Sequence, residues 1–226
     1  MPDKIICIHI GARAHYLLPK ALHTRGKLEM MITDTWVKKA WIRKLLAAFP
    51  LRLVKSFSNR YTAAIGPDRV KHFSIQFLIT ELLLRYKHKD GWNLIMARNA
   101  AFQKKVMPLF LQLPKKTVLG TSYTSLAIFH AAAVRGQKRI LFQIDPGIKE
   151  EKIVAAITAE NAALYPSTWQ KAPAVYWEDW KKECSLSDII MVNSAWSRQG
   201  LLEEGIAESK IKIVDLPYQL NEQHLQ

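Results

Sequence analysis

Lys4-Ile5-Ile6-Cys7-Ile8-His9-Ile10-Gly11-Ala12-Arg13-Ala14-His15-Tyr16 is the stretch whose reading decides the architecture. From Ile5 to Ile10 only His9 interrupts an apolar, β-branched run with no period-two alternation. A strand covered on both faces of a parallel sheet has this composition. An export signal does not: its apolar core runs about 7–15 residues and ends at small side chains. Gly11 closes the strand, and a helix is predicted over 16–24, ending at Gly26, a residue suited to a helix C-terminus.

The rest of the chain repeats this unit. Short apolar runs at 29–33, 93–97, 117–121, 139–144, 188–193 and 210–214 read as further strands. Helices are expected at 100–113, 125–135, 148–164, 174–184 and 195–204. Their ends carry the expected punctuation: Pro114 and Gly136 after helices, Pro146-Gly147 and Pro173 before them, and Ser194 and Gly205 flanking the last. Alternating strands and helices predict an α/β fold, a Rossmann-like parallel sheet flanked by helices. Residues 36–89 read as a helical insertion between the second and third strands.

Ligands of such sheets bind at the carboxyl ends of the strands. Six loops should therefore share one rim: 11–16, 34–36, Arg98-Asn99, 122–124, 145–147 and Asn193-Ser194. Gly11 would let a backbone approach a ligand, and Arg13 offers a fork for phosphate or carboxylate. The competing reading is a tight turn with a solvated arginine. His15 is a candidate general base or hydroxyl ligand, whereas His9, inside the strand, reads as a buried, hydrogen-bonded residue. Asp145 could act as a base or bind hydroxyls, or equally form an Asx turn that starts a helix. Ser122 and Ser194 lack the Gly-x-Ser-x-Gly context of a hydrolase nucleophile, and Ser194 reads as a helix cap. The first loop has neither the dinucleotide fingerprint nor the phosphate-loop lysine, which argues against a dehydrogenase or a P-loop enzyme. His9, His15 and His23 lack metal-ligand spacing, so no metal is expected. Two cysteines, Cys7 and Cys184, cannot build a disulfide framework, and a reducing compartment is the simpler setting.

The 226 residues carry 33 Lys and Arg against 19 Asp and Glu, a formal charge of +14. Of that excess, +10 lies in residues 38–89, where Lys38, Lys39, Arg43, Lys44, Arg52 and Lys55 lead a basic run interleaved with aromatics. Such a surface is either a set of solvated helical faces, an anionic membrane or acceptor contact, or a nucleic-acid site. Nucleic acid is disfavoured, because no zinc finger, RNA-recognition signature or Arg-rich arm accompanies it. No apolar run approaches the ~20 residues that cross a bilayer. The expected location is cytoplasmic, with peripheral attachment to the inner face of the membrane as an option.

Ser187-Asp188-Ile189-Ile190-Met191-Val192-Asn193-Ser194, then Leu201-Leu202-Glu203-Glu204-Gly205-Ile206, then Lys210-Ile211-Lys212-Ile213-Val214, resembles the close of the N-terminal domain in family-4 glycosyltransferases. Pro217 lies where that pattern places a proline before the second domain. The opening segment 8–22, with Gly26-Lys27-Leu28 and Thr33-Asp34, is similar to a branch of the same family. The resemblance implies a GT-B fold and a retaining transfer of sugar from a nucleotide-sugar, as co-substrate, to a sugar or lipid-linked acceptor. It implies no bound cofactor or metal. Residues 1–216 would be the acceptor-side domain and 217–226 the start of the interdomain linker. The donor-binding half would be absent or supplied by a partner chain, so this chain alone should be nearly inactive. By position, the resemblance places Gly11 and Arg13 near donor phosphates and acceptor, while Tyr16, Arg98 and Asn99 join the acceptor- or donor-phosphate-binding candidates from their place on the rim alone. It places Ser122 and Tyr123 along the acceptor site, Asp145 facing the interdomain cleft, and Asn193 and Ser194 as a cap beside it. It also gives the basic stretch 36–89 a role against a membrane or polyanionic acceptor. The alternative is a non-catalytic Rossmann-like binding module or partner subunit with the same basic surface. A third option is an unrelated nucleotide binder.

Overall fold

The structure is a computed structural model that describes residues 4–50, 52–87, 91–164 and 167–215, the side chains of 52 and 53 excepted. Seven parallel strands form one sheet in the order β3-β2-β1-β4-β5-β6-β7. They are β1 (Ile5–His9), β2 (Leu28–Thr33), β3 (Val70–His72), β4 (Thr117–Thr121), β5 (Arg139–Phe142), β6 (Ile189–Val192) and β7 (Ile211–Ile213). The helices are α1 (Leu17–Thr24), α2 (Ala40–Ala48), α3 (Arg52–Ser56), α4 (Ser74–Lys87), α5 (Gly91–Gln112), α6 (Leu126–Val134), α7 (Ile148–Glu160), α8 (Ala174–Leu186) and α9 (Ala195–Glu203).

Alternate residues of β1 explain why its sequence is uniformly apolar. Ile6, Ile8 and Ile10 enter a core with Phe102, Val106 and Phe110 of α5 and Phe129 of α6. Cys7 faces the other way, into a cluster with Tyr16, Met31, Leu119 and Phe142. Burial on both faces leaves no position for an alternating polar residue. His9 is buried, with Nδ1 2.7 Å from the Gly11 carbonyl, and desolvation lowers its pKa to about 4. Cys7 and Cys184 are free and buried, and burial pushes the Cys7 thiol up to about 12. Asp188, the acid that precedes β6, binds the start of β5: it accepts from the Arg139 backbone N–H at 2.7 Å and pairs with the Arg139 guanidinium at 2.7 Å.

Two expectations are corrected. Residues 93–97 are helical, not a strand. Leu94, Met96 and Ala97 are strong helix formers, and the run continues without a break into the single helix α5. The sheet's extra strand is instead β3, which pairs Val70 with Met31 and His72 with Thr33. Only Val70 of its three residues is buried, so it left no apolar run to read. Residues 36–89 therefore contain an edge strand as well as helices, and are part of the sheet rather than an insertion alone. The region 217–226 and Pro217 lie outside the described residues, as does the Arg52 side chain. Among the described residues, no helix is long and apolar enough to cross a membrane.

Candidate functional site

The loop after β1 is the most strained backbone of the rim. Gly11 has φ 75°, then Ala14, His15 and Tyr16 stand at φ 46°, 47° and 60°. Left-handed geometry costs an L-residue ~1–2 kcal/mol, and such strain clusters at functional sites. The turn is held from three sides. The Gly11 N–H donates to Asp34 Oδ1 at 2.8 Å, the His15 N–H donates to the Ala12 carbonyl at 2.9 Å, and Arg13 Nη1 reaches the Ser122 carbonyl at 3.4 Å. The φ of Gly11 favours glycine, and a Cβ there would stand 2.6 Å from Arg60 Nη1, so a side chain would push that guanidinium aside. Tyr16 turns inward, edge-on to Trp36 at 5.3 Å between centroids, and joins the core rather than a cavity. His15 is exposed, and its imidazole has no hydrogen bond among the described residues.

Beside this turn opens a cavity of about 660 Å³. Gly11, Arg13 and Asp34 form its floor, Arg60 one wall, and α4 and α5 the other. Phe77, Glu81 and Arg85 line it at four-residue steps of α4, while Ile95, Arg98 and Asn99 do so at three- and four-residue spacing on α5. These are the spacings of a single helix face. Arg98 and Asn99 thus reach the rim from a helix and not, as the sequence reading had it, from the loop after a strand. Glu81 is buried and accepts from Arg85 Nε at 2.8 Å and from Arg98 Nε and Nη2 at 2.8 and 2.9 Å.

A second cavity, about 210 Å³, shares Tyr176 of α8 with the first as a lining residue. Its walls are aromatic: Trp92, Tyr123, Trp169, Tyr176 and Trp177. Tyr123 and Tyr176 stack at 4.9 Å with an 18° interplanar angle, and Trp92 tilts against Tyr176 at 4.9 Å. Asp145 stands at its base. It accepts from the Tyr123 hydroxyl at 2.6 Å, Gln143 Nε2 at 2.8 Å and the Gly147 N–H at 2.9 Å, the last closing an Asx turn before α7. Burial, with the Asp145 carboxylate alongside, pushes the Tyr123 phenol well above its ordinary pKa. Ser122 is fully buried beneath this loop.

Asn193 and Ser194 do not line either cavity. Ser194 caps α9, accepting from the Ser197 N–H at 3.1 Å, while Ser197 Oγ donates to Asn193 Oδ1 at 3.0 Å. On the basic segment, Lys38, Lys39, Lys44 and Lys55 are exposed. Arg43 is engaged within the fold: it donates to the Val37 and Lys38 carbonyls at 2.9 and 2.6 Å and lies 4.3 Å over the Tyr61 ring. Trp36, Phe57 and Phe77 are core residues, so the interleaved aromatics are only partly a surface.

Arg60, Glu81, Arg85 and Glu183, and the aromatic walls Trp92, Trp169, Tyr176 and Trp177, escaped the sequence reading. Arg60, Glu81 and Arg85 fall in the basic segment, where nothing local distinguishes them from solvated charges. Glu183 lies near the end of α8 yet accepts the N–H groups of Tyr123, Ser125 and Leu126 at 2.7, 2.6 and 3.0 Å, fixing the loop after β4. Among the described residues, no group of three or more His, Cys, Asp or Glu side chains is placed to hold a metal ion.

No protein-family model matches the sequence, and no curated protein matches it. Solved structures do match in fold. TcCGT1 in complex with UDP superposes at a TM-score of 0.52 with 11% identity, over 100% of this chain and 54% of that one. Apo UGT2 of Phytolacca americana follows at 0.47 and 10%, over 98% and 54% of the two chains. The trehalose-6-phosphate synthase OtsA gives 0.47 and 12%, over 96% and 50%. At these identities the likeness is one of fold: a Rossmann-like sheet matching the GT-B architecture. The chain spans about half the length of the solved structures it matches.

Proposed function

We propose that this chain is the acceptor-side domain of a glycosyltransferase that moves a sugar from a nucleotide-sugar to an acceptor. A second domain or a partner chain would hold the donor over the same rim. The observation that carries this reading is the cavity of about 660 Å³ at the carboxyl ends of β1 and β2, bounded by the strained Gly11–Tyr16 turn and sharing Tyr176 as a lining residue with an aromatic cavity. Aromatic walls suit the apolar face of a sugar or other ring, and donors on the turn suit a phosphate or hydroxyl. Asp34, Glu81, Asp145 and Glu183 all accept hydrogen bonds already. His15, exposed on the turn though outside both cavities, and Glu150, which lines the smaller cavity, are this chain's candidates for proton transfer, with the phosphate-stabilising groups supplied from across the cleft.

The saturation of those carboxylates also favours a second reading, a binding module without catalysis. Nucleotide release by the protein as its gene encodes it separates the two. UDP-, GDP- and ADP-hexoses are offered with cell-extract acceptors. Release that needs an acceptor and falls at least tenfold in Arg13→Ala supports the transferase. No release from any donor, with the donor-binding domain or its partner chain present in the assay, overturns it and leaves the binding module. In either reading the exposed apolar and basic faces of α2 and α4 would rest on an anionic membrane.

A further inference from the structure

We propose that the acceptor taken by the larger cavity is a phosphomonoester, its phosphate held among Arg13, Arg60, Arg85 and Arg98; this rests on the acceptor-side reading above. Four guanidinium groups and two carboxylates, Asp34 and Glu81, line this cavity, a formal excess of two positive charges. The pairing is incomplete in a particular way. Glu81 satisfies Arg85 and Arg98 in part, with all its bonds at 2.8–2.9 Å. Asp34 Oδ1 is already taken by the Gly11 N–H at 2.8 Å and the Thr33 hydroxyl at 3.1 Å. Arg60 Nη1 stands 3.6 Å from that oxygen, beyond hydrogen-bond length, and is buried with no hydrogen-bond partner. Arg13 has no carboxylate within 4.0 Å among the described residues, and its one polar contact is the 3.4 Å approach to the Ser122 carbonyl.

A buried donor without an acceptor is costly, and a guanidinium without a counter-charge is more so. A ligand that brings acceptor oxygens and two negative charges removes both deficits. A carboxylate or a sulfate ester brings one charge. A phosphomonoester carries about −1.5 to −2 at neutral pH and three acceptor oxygens, which matches arginine forks arriving from different elements. The cavity is also far larger than a phosphate ion, and Phe57, Phe77 and Ile95 give it apolar wall for the remainder of a molecule.

Isothermal titration of the protein as its gene encodes it, at low salt, uses glucose 6-phosphate, glucose, inorganic phosphate and UDP as probes. Glucose 6-phosphate is expected to bind at least tenfold more tightly than glucose or inorganic phosphate, and UDP is expected not to displace it. Arg60→Gln and Arg85→Gln should each weaken it at least tenfold. Arg85 is partly exposed, so its variant keeps the test open if Arg60→Gln fails to fold by circular dichroism. Equal affinity for glucose, no affinity for the ester, or unchanged affinity in the variant that folds overturns the proposal. Equal affinity for inorganic phosphate assigns the site to the free ion, and displacement by UDP assigns it to the donor; either overturns it too. Ester binding without nucleotide release would sink the transferase reading and leave this one. Release onto neutral acceptors without ester binding would do the reverse.

Discussion

Glu183 is buried beneath the loop after β4, where three backbone N–H groups converge on its carboxylate. Burial nevertheless dominates and pushes its pKa from 4.5 up to about 7, against the pull of those donors and of Arg13. In the folded chain the carboxyl then holds its proton over a range where the unfolded chain has lost it. Its contribution to stability is complete below about pH 4.5 and is lost as pH rises through about 7. The slope in that window is at most about 1.4 kcal/mol per pH unit. Glu183→Gln abolishes it. The urea midpoint of the parent, relative to that of the variant, should therefore fall between pH 5 and pH 8. His9, with its pKa lowered to about 4, works in the opposite sense but is common to both proteins and cancels in the difference. Parallel pH curves for the two proteins would show that Glu183 is ionised throughout. The amide also loses acceptor capacity at the cap, at a cost of about 1–3 kcal/mol.

Gly200 makes the corresponding point for elements. It lies in the middle of α9, where a Cβ would stand 2.5 Å from the Pro146 carbonyl oxygen and 3.3 Å from Lys149 Cβ. The glycine is there so that α9 can press against the loop after β5. Gly200→Ala gains helix propensity of about 1 kcal/mol, but the backbone atom it meets cannot swing aside. Overpacking of about 1–3 kcal/mol outweighs the gain, and a lower thermal midpoint is expected. Pro108 has the opposite sign. It is exposed inside α5 and deprives the helix of one N–H, a defect worth about 3 kcal/mol in a helix interior. Pro108→Ala should raise the midpoint, and a fall would mean that its ring packs in a way its exposure hides. Legibility in the sequence followed the same divide between local and distant causes. β1, β4, β5, β6 and the caps at Gly26, Gly136 and Ser194 could be read because burial on two faces and helix ends leave local marks. β3 could not, because an edge strand of three residues buries one side chain. Gly11, Arg13 and Asp145 were found because topology places strand ends on one rim. Arg60, Glu81 and Glu183 were not, because the contacts that tie each to the site, with Asp34, Arg98 and the loop after β4, cross at least 17 positions and nothing beside it in sequence marks that partner.

At the scale of the molecule, the strand order sets where the charge sits. β3 is the edge strand next to β2, so the segment from 38 to 89, which supplies +10 of the +14, is built around one edge of the sheet. The same segment exposes apolar side chains that a solvated face would not need. Ile75, Ile79, Leu82 and Tyr86 of α4 are 76%, 54%, 55% and 85% exposed, at the spacing of one helical stripe, and Trp41 and Leu45 of α2 are 63% and 60% exposed. Apolar stripe and basic charge together are the two terms of interfacial membrane binding. Each Lys or Arg near an anionic surface contributes about 1 kcal/mol, and the contribution falls off within a Debye length of about 10 Å at 0.1 M salt. The protein is therefore expected to pellet with phosphatidylglycerol-containing vesicles at low salt, to pellet weakly with phosphatidylcholine alone, and to be released by 0.5 M salt. Ile79→Glu with Leu82→Glu removes part of the stripe and adds repulsion without touching the core, so binding should drop about tenfold while the thermal midpoint holds. Equal, salt-insensitive binding to both vesicle types would mean that the basic edge plays no part, and unaltered binding by the double variant would move the contact away from α4.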